Sequence, residues 1–188
     1  MSQLRSMLIT AAQVSLSMSL GDIVCQCLEH RTTSIGDTFS LFDVKVDWSR
    51  TSRMCLTGAF VSGPWSFGQY QVFERFIPGT TTAAVVKKVA AAAAAAPIGI
   101  SLMFTSVLLL QGKKYNDVQH KLQNDLVDTW AIGALYWPFV LGLNFKFVSL
   151  ARRPLVGALA GSAWNVYTAY QANKVVPSAS SSSSTAVA

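Results

Sequence analysis

Asp22 stands alone as a charge in an apolar stretch from Ser6 to Leu28, within the run GDIVCQCLEHR. The stretch has about the length a helix needs to cross a bilayer. A lone carboxylate near the membrane centre costs at least roughly 2.5–3.5 kcal/mol on insertion scales, so Asp22 is expected to face protein or water. On a helix, Ala12, Ser15, Ser19, Asp22, Gln26 and Glu29 follow at spacings of three or four and share one narrow face. Gln69 and Asn144 are further polar groups inside apolar runs. Such a set offers two things: a hydrated path whose acid attracts cations, or a polar junction between helices. Arg50, Arg53 and Arg153 are the candidates to pair with Asp22. The chain has no base or nucleophile beside the acid, no nucleophile elbow, no phosphate-cradling glycine loop and no zinc-protease helix, so an enzyme is not expected.

Metal and redox chemistry have little support. Cys25 and Cys27, one residue apart on a helix, point in different directions, and His30 and His120 lack ligand spacing. With Cys55 they make an odd count of small apolar residues without a disulfide framework. No cofactor or metal is expected.

The elements that must position these groups follow from composition. Of 188 residues, 51% are hydrophobic and only 13% are charged, against about 25% charged in a soluble domain, and the mean hydropathy is +0.37. Beyond the first stretch, uncharged runs occupy Met54 to Phe73, Val89 to Gly112, Thr129 to Phe145 and Pro154 to Asn173. These predict an all-α integral membrane bundle of four or five membrane helices over residues 1–176, followed by a flexible serine-rich tail at 177–188. The net charge of +6 raises nucleic-acid binding as an alternative, but the basic residues flank the apolar runs, at Arg50, Arg53, Arg75, Lys87, Lys88, Lys113, Lys114, Arg152 and Arg153. That placement suits lipid headgroups, so the bilayer is the expected partner and direct nucleic-acid binding is not expected. Alternate loops carry similar numbers of Lys and Arg, which leaves the orientation open.

Several residues should shape the helices. Gly58, Ser62, Ser66 and Gln69 share a face of the second run, where Gly63-Pro64 should kink the helix or open its hydrogen-bond ladder. The third run opens on seven alanines, Ala90 to Ala96, then Pro97; it is barely hydrophobic enough to insert without packing. The fourth holds Pro138 among Trp130, Tyr136, Trp137, Phe139 and Phe145, an interfacial belt or a packing core. Gly157 and Gly161 form a Gly-x-x-x-Gly helix-association pair in the last run. At the amino terminus Arg5 is the only charge before Asp22, too little for a cleavable presequence, and the first stretch is expected to be retained. The last residues do not match a Ser-Lys-Leu peroxisomal signal.

From Gly21 to about Tyr170 these features fall into a known order. The carriers are Gly21-Asp22 with Gln26, the segment DWSRTSR, Gly58, Gly63-Pro64, Tyr70, and FERFIPG ending at Pro78-Gly79. Ala96-Pro97, KLQND with Asp125 and Asp128, Trp137-Pro138, Asn144-Phe145, Arg153, and Trp164 with Tyr167 complete the series. In this the chain resembles the Mpv-seventeen and peroxisomal membrane protein twenty-two family. It departs from the pattern at Gln69, Leu141, Ser149, Cys27 and the alanine run. The resemblance implies a channel-like organelle protein passing small solutes and supporting mitochondrial homeostasis, including nucleotide supply and DNA maintenance. A non-conducting structural or interaction protein is the alternative. The ending without Ser-Lys-Leu and the amino-terminal end free of acids up to Gly21 favour the mitochondrial inner membrane, with the peroxisomal membrane as the alternative, and a homo-oligomer or membrane complex is a further expected partner. Among the arginines, Arg153 is the family-matched candidate for Asp22.

Overall fold

A computed structural model of the chain describes residues 3–33, 45–79, 81–147 and 153–174, all the regular structure among them being helical. The helices are α1 (Gln3–Thr33), α2 (Trp48–Thr57), α3 (Gly63–Phe76), α4 (Thr82–Leu110), α5 (Tyr115–Phe147) and α6 (Arg153–Asn173), with a π turn at Gly58–Ser62 joining α2 to α3. Each uncharged run of the sequence lies within one of these helical stretches, except that Val89 to Gly112 runs two residues past the end of α4. Among the described residues two helical segments, Gln3–His30 and Thr82–Leu110, are long and apolar enough to cross a membrane. The serine-rich tail lies outside the described residues.

Local chemistry explains where elements begin and break. Asp47 caps α2, its Oδ1 accepting from the Arg50 backbone N–H at 3.0 Å. Thr81 Oγ1 accepts from the Ala84 N–H at the start of α4. Gly79 and Gly112, in the turns after α3 and α4, have φ of +94° and +74°, backbone that L side chains rarely adopt. The π turn has a plain cause. Pro64 has no N–H to donate and its ring would strike the carbonyl four residues back, and the ladder widens just before it, Gly63 N–H reaching back five residues to the Gly58 carbonyl.

The runs pack in a closed circuit. α1 lies against α2, the π turn and α3; these lie against α4, α4 against α5, α5 against α6, and α6 against α1. Neighbours along the chain are antiparallel. Asp22 meets Thr51, Ser15 meets Cys55, and Ala11 meets Gly63. The centre is filled by Met18, Cys25, Met54, Ile100, Met103, Phe104, Val107, Ala169 and Ala172. Outside, α1 turns Leu4, Leu8, Leu16, Leu20, Val24 and Leu28 to the surface, a stripe at multiples of four residues. Large apolar side chains outward with small and polar ones inward is the arrangement a lipid solvent favours.

Glycines set the closest approaches. A Cβ on Gly58 would lie 2.6 Å from the Ser15 Cα, one on Gly63 2.5 Å from the Ala11 Cα, and one on Gly21 2.9 Å from the Asn165 carbonyl carbon. Gly161 differs. A Cβ there would meet nothing within 4 Å, so the Gly-x-x-x-Gly motif does not mediate helix packing at that position within one chain, while the surroundings of Gly157 lie outside the described residues. Pro97 sits inside α4 and Pro138 inside α5, the latter on an exposed face.

Candidate functional site

The inward face of α1 carries Ala11, Ser15, Met18, Gly21, Asp22, Cys25 and Gln26, all buried. The expected stripe is thus turned slightly: Ala12 is exposed and Ala11 takes its place against Gly63. Ser15 Oγ donates to the Cys55 carbonyl at 2.9 Å, and Ser19 Oγ returns to the Ser15 carbonyl of its own helix. These hydroxyls are spent on helix contacts.

Asp22 is the centre. It is 0% exposed. Its Oδ1 accepts from Arg50 Nε at 2.7 Å, and its Oδ2 from Gln26 Nε2 and Thr51 Oγ1, both at 2.8 Å. Arg50 also grips Glu29, Nη1 to Oε2 at 2.6 Å and Nη2 to Oε1 at 3.3 Å, and its Nη2 lies 3.3 Å from the Cys25 Sγ. Gln26 completes the knot by accepting from the Asp47 N–H at 2.7 Å. One guanidinium therefore bridges two carboxylates about two turns apart on α1, and both carboxylate oxygens of Asp22 are satisfied. Asp47 makes this possible, because capping α2 at that residue puts Arg50 and Thr51 in its first turn facing Asp22.

The other sequence candidates lie elsewhere. Arg53 donates to Ser49 Oγ at 2.9 Å rather than to Asp22. Gln69 is half-buried on α3. The side chains of Asn144 and Arg153 lie outside the described residues. None of the described polar groups on α1 faces an open lumen, since the bundle's centre at Met54, Phe104 and Val107 is closed by apolar side chains, each 0% exposed. A groove of about 430 Å³ lies between α1 and α6, lined by apolar side chains of Leu20, Val24, Leu28, Ala163 and Val166 with Gly21 and Ser162.

A second buried ionic group was not foreseen from the sequence. Lys121 on α5 is 0% exposed. Its Nζ meets Asp125 Oδ2 at 2.9 Å and the Lys174 carbonyl at 3.0 Å, and sits 5.5 Å from the centre of the Phe104 ring. Burial pushes the Lys121 ammonium below its usual pKa, while the hydrogen bond and charge of Asp125 pull it back up. Lys174 Nζ and Asp125 Oδ1 lie 3.4 Å apart, and Gln111 on the α4 side bonds Asn173. The cluster fastens the carboxyl end of α6 to α5 and α4. The i,i+4 spacing of Lys121 and Asp125 was the available signal, but on a charged stretch it reads as a solvated pair.

Two further contacts tie α6 in. Asn165 Nδ2 donates to Ser17 Oγ at 2.6 Å where Gly21 lets the helices touch. Tyr136, Trp137, Trp164 and Tyr167 form a continuous ring cluster with centroids 5.3–6.2 Å apart, so these aromatics are packing groups between α5 and α6.

Comparison with known proteins gives a consistent relationship. Residues 108–169 match the Mpv17 / PMP22 family. The chain is 30% identical to Protein sym-1 of Neurospora crassa over 88% of its own length and 91% of that protein. It is 31% identical to the human mitochondrial inner membrane protein Mpv17, covering 84% of this chain and 85% of the relative. PXMP2/4 family protein 4 of Dictyostelium discoideum is 26% identical, with 68% and 69% covered. No solved structure matches the chain.

Proposed function

The chain belongs to the Mpv17 / PMP22 family, and from that premise we propose that it is a multi-pass channel-like protein passing small solutes, held here in a closed conformation. Its membrane is the mitochondrial inner membrane, the location carried by the names of its human, bovine and zebrafish relatives. Five crossings fit the circuit of helices, with α2, the π turn and α3 read as one interrupted span. The observation that carries the reading is the Asp22–Arg50–Glu29 knot on an apolar helix. Charged groups at such depth are expensive, and they are kept where a pathway or a moving part needs them. Helix association alone has cheaper means in the same bundle, the glycine contacts and the Ser17–Asn165 bond.

In this reading the knot locks α1 to α2, and Met54, Phe104 and Val107 plug the centre. Asp22 meets solutes only after Arg50 lets go, when its carboxylate would favour cations. The filled core favours a second reading, a non-conducting structural protein whose open Gly161 face serves self-association or a membrane complex. The proposal includes neither an enzymatic step nor direct binding to nucleic acid.

Purified protein in planar bilayers separates the two. The channel reading expects discrete conductance steps absent from protein-free membranes. No conductance, combined with loss of a crosslinked membrane complex when the protein is removed, would replace it with the structural one.

A further inference from the structure

Pro97 lies inside α4, and a proline has no N–H for the carbonyl four residues before it. That carbonyl belongs to Ala93. Trp130 on α5 donates its indole Nε1–H to this atom at 2.8 Å. The acceptor that the sequence of α4 strips of its own donor is thus satisfied from a neighbouring helix, as a backbone group in an apolar medium requires.

Burial divides α4 at the same place. Beyond Pro97, Ile100, Met103, Phe104, Val107 and Leu108 are buried, whereas from Thr82 to Ala96 only Ala84 is. Gly99, two residues after the proline, gives room to Trp65 of α3; a Cβ there would lie 2.6 Å from the Trp65 indole nitrogen. The carboxyl half is therefore anchored in the core. The alanine-rich half has little apolar side chain with which to hold its position; near its start Lys88 ties it to the end of α3, pairing with Glu74 and donating to the Gly79 carbonyl at 2.9 Å, so that a movement of this half would turn about its two ends.

From these contacts we infer that Trp130 is a latch for a hinge in α4 at Pro97: its indole N–H closes the gap the proline leaves in the ladder, and releasing the Ala93 carbonyl frees residues 82–96 to pivot against the anchored half. A free carbonyl is costly in a lipid interior, so release requires another donor, and water is the one that can reach it. Movement of the alanine-rich half is then coupled to wetting of this point. The inference does not rest on conduction.

Trp130→Phe keeps an aromatic ring and removes the donor. Hydrogen exchange of the full chain in lipid nanodiscs should then quicken about tenfold at the amides of residues 98–101, as loss of one hydrogen bond worth about 1.4 kcal/mol implies. Pro97→Ala gives Ala93 a donor from its own helix. The double variant should therefore exchange like Pro97→Ala alone. Unchanged exchange in Trp130→Phe would overturn the latch. So would an equal acceleration or loss of folding by Trp130→Phe in both backgrounds, because the ring would then act through packing.

Discussion

Arg50→Met should lower the unfolding free energy of the purified protein by about 3–5 kcal/mol, the cost of leaving a buried charge without its partner. The charge left behind is Asp22, at 0% exposure, which keeps only the neutral donors Gln26 and Thr51, while the more exposed Glu29, about two turns further on, loses its contact with Arg50. Asp22→Asn should cost less, because Arg50 keeps Glu29 and Thr51 can still donate to the amide oxygen. Combining the two substitutions should recover part of the Arg50→Met loss, a coupling that independent sites do not show. Full exchange of charge, Asp22→Lys with Arg50→Glu, should rescue incompletely, since the new acid would face Glu29. Thermal denaturation in detergent reads all four. Wild-type stability in Arg50→Met would remove the knot from any account of the fold.

Gly58→Ala and Gly63→Ala should each destabilise by about 1–3 kcal/mol, the range for forcing atoms into a packed interior. What an added methyl would strike is the backbone of α1, at 2.6 Å and 2.5 Å, and a backbone cannot swing aside as a side chain tip can. α1 would have to retreat, stretching the Ser15 bond to the Cys55 carbonyl. Gly68→Ala and Gly161→Ala meet nothing within 4 Å and serve as controls expected to fold with wild-type stability or slightly above it. Equal melting temperatures for the two pairs would show that the helices do not cross at those glycines. A change in self-association confined to Gly161→Ala would support the structural reading of the protein.

Much of the architecture was legible because a bilayer simplifies the code. Clustered charges left uncharged runs that mark the helices, and Gly63-Pro64 marks the place where the ladder opens. Asp22 was legible as a group in need of a partner. Which arginine answers it was not, because sequence spacing does not determine how residues after a long connection dock against α1. The deciding residue was Asp47, read only as part of a motif: by capping α2 and bonding Gln26 it fixes the register that brings Arg50 and Thr51 to the acid. From its sequence context Trp130 is a belt or packing aromatic, since nothing in a linear sequence shows that an indole lies beside a carbonyl 37 residues away. Lys121 was hidden by its charge, which in a polar stretch predicts solvent and in the folded chain meets Asp125, the Lys174 carbonyl and the Phe104 ring.

The claim that joins the geometry to function is that the Asp22–Arg50 pair holds the bundle closed, and single-channel recording of wild type beside Asp22→Asn tests it most directly. The charge-neutral variant weakens the lock while leaving α1 nearly its native shape. It should open more often than wild type under the same voltage and salt, with less preference for cations once open. Identical open probability and ion selectivity in the two proteins would contradict the account.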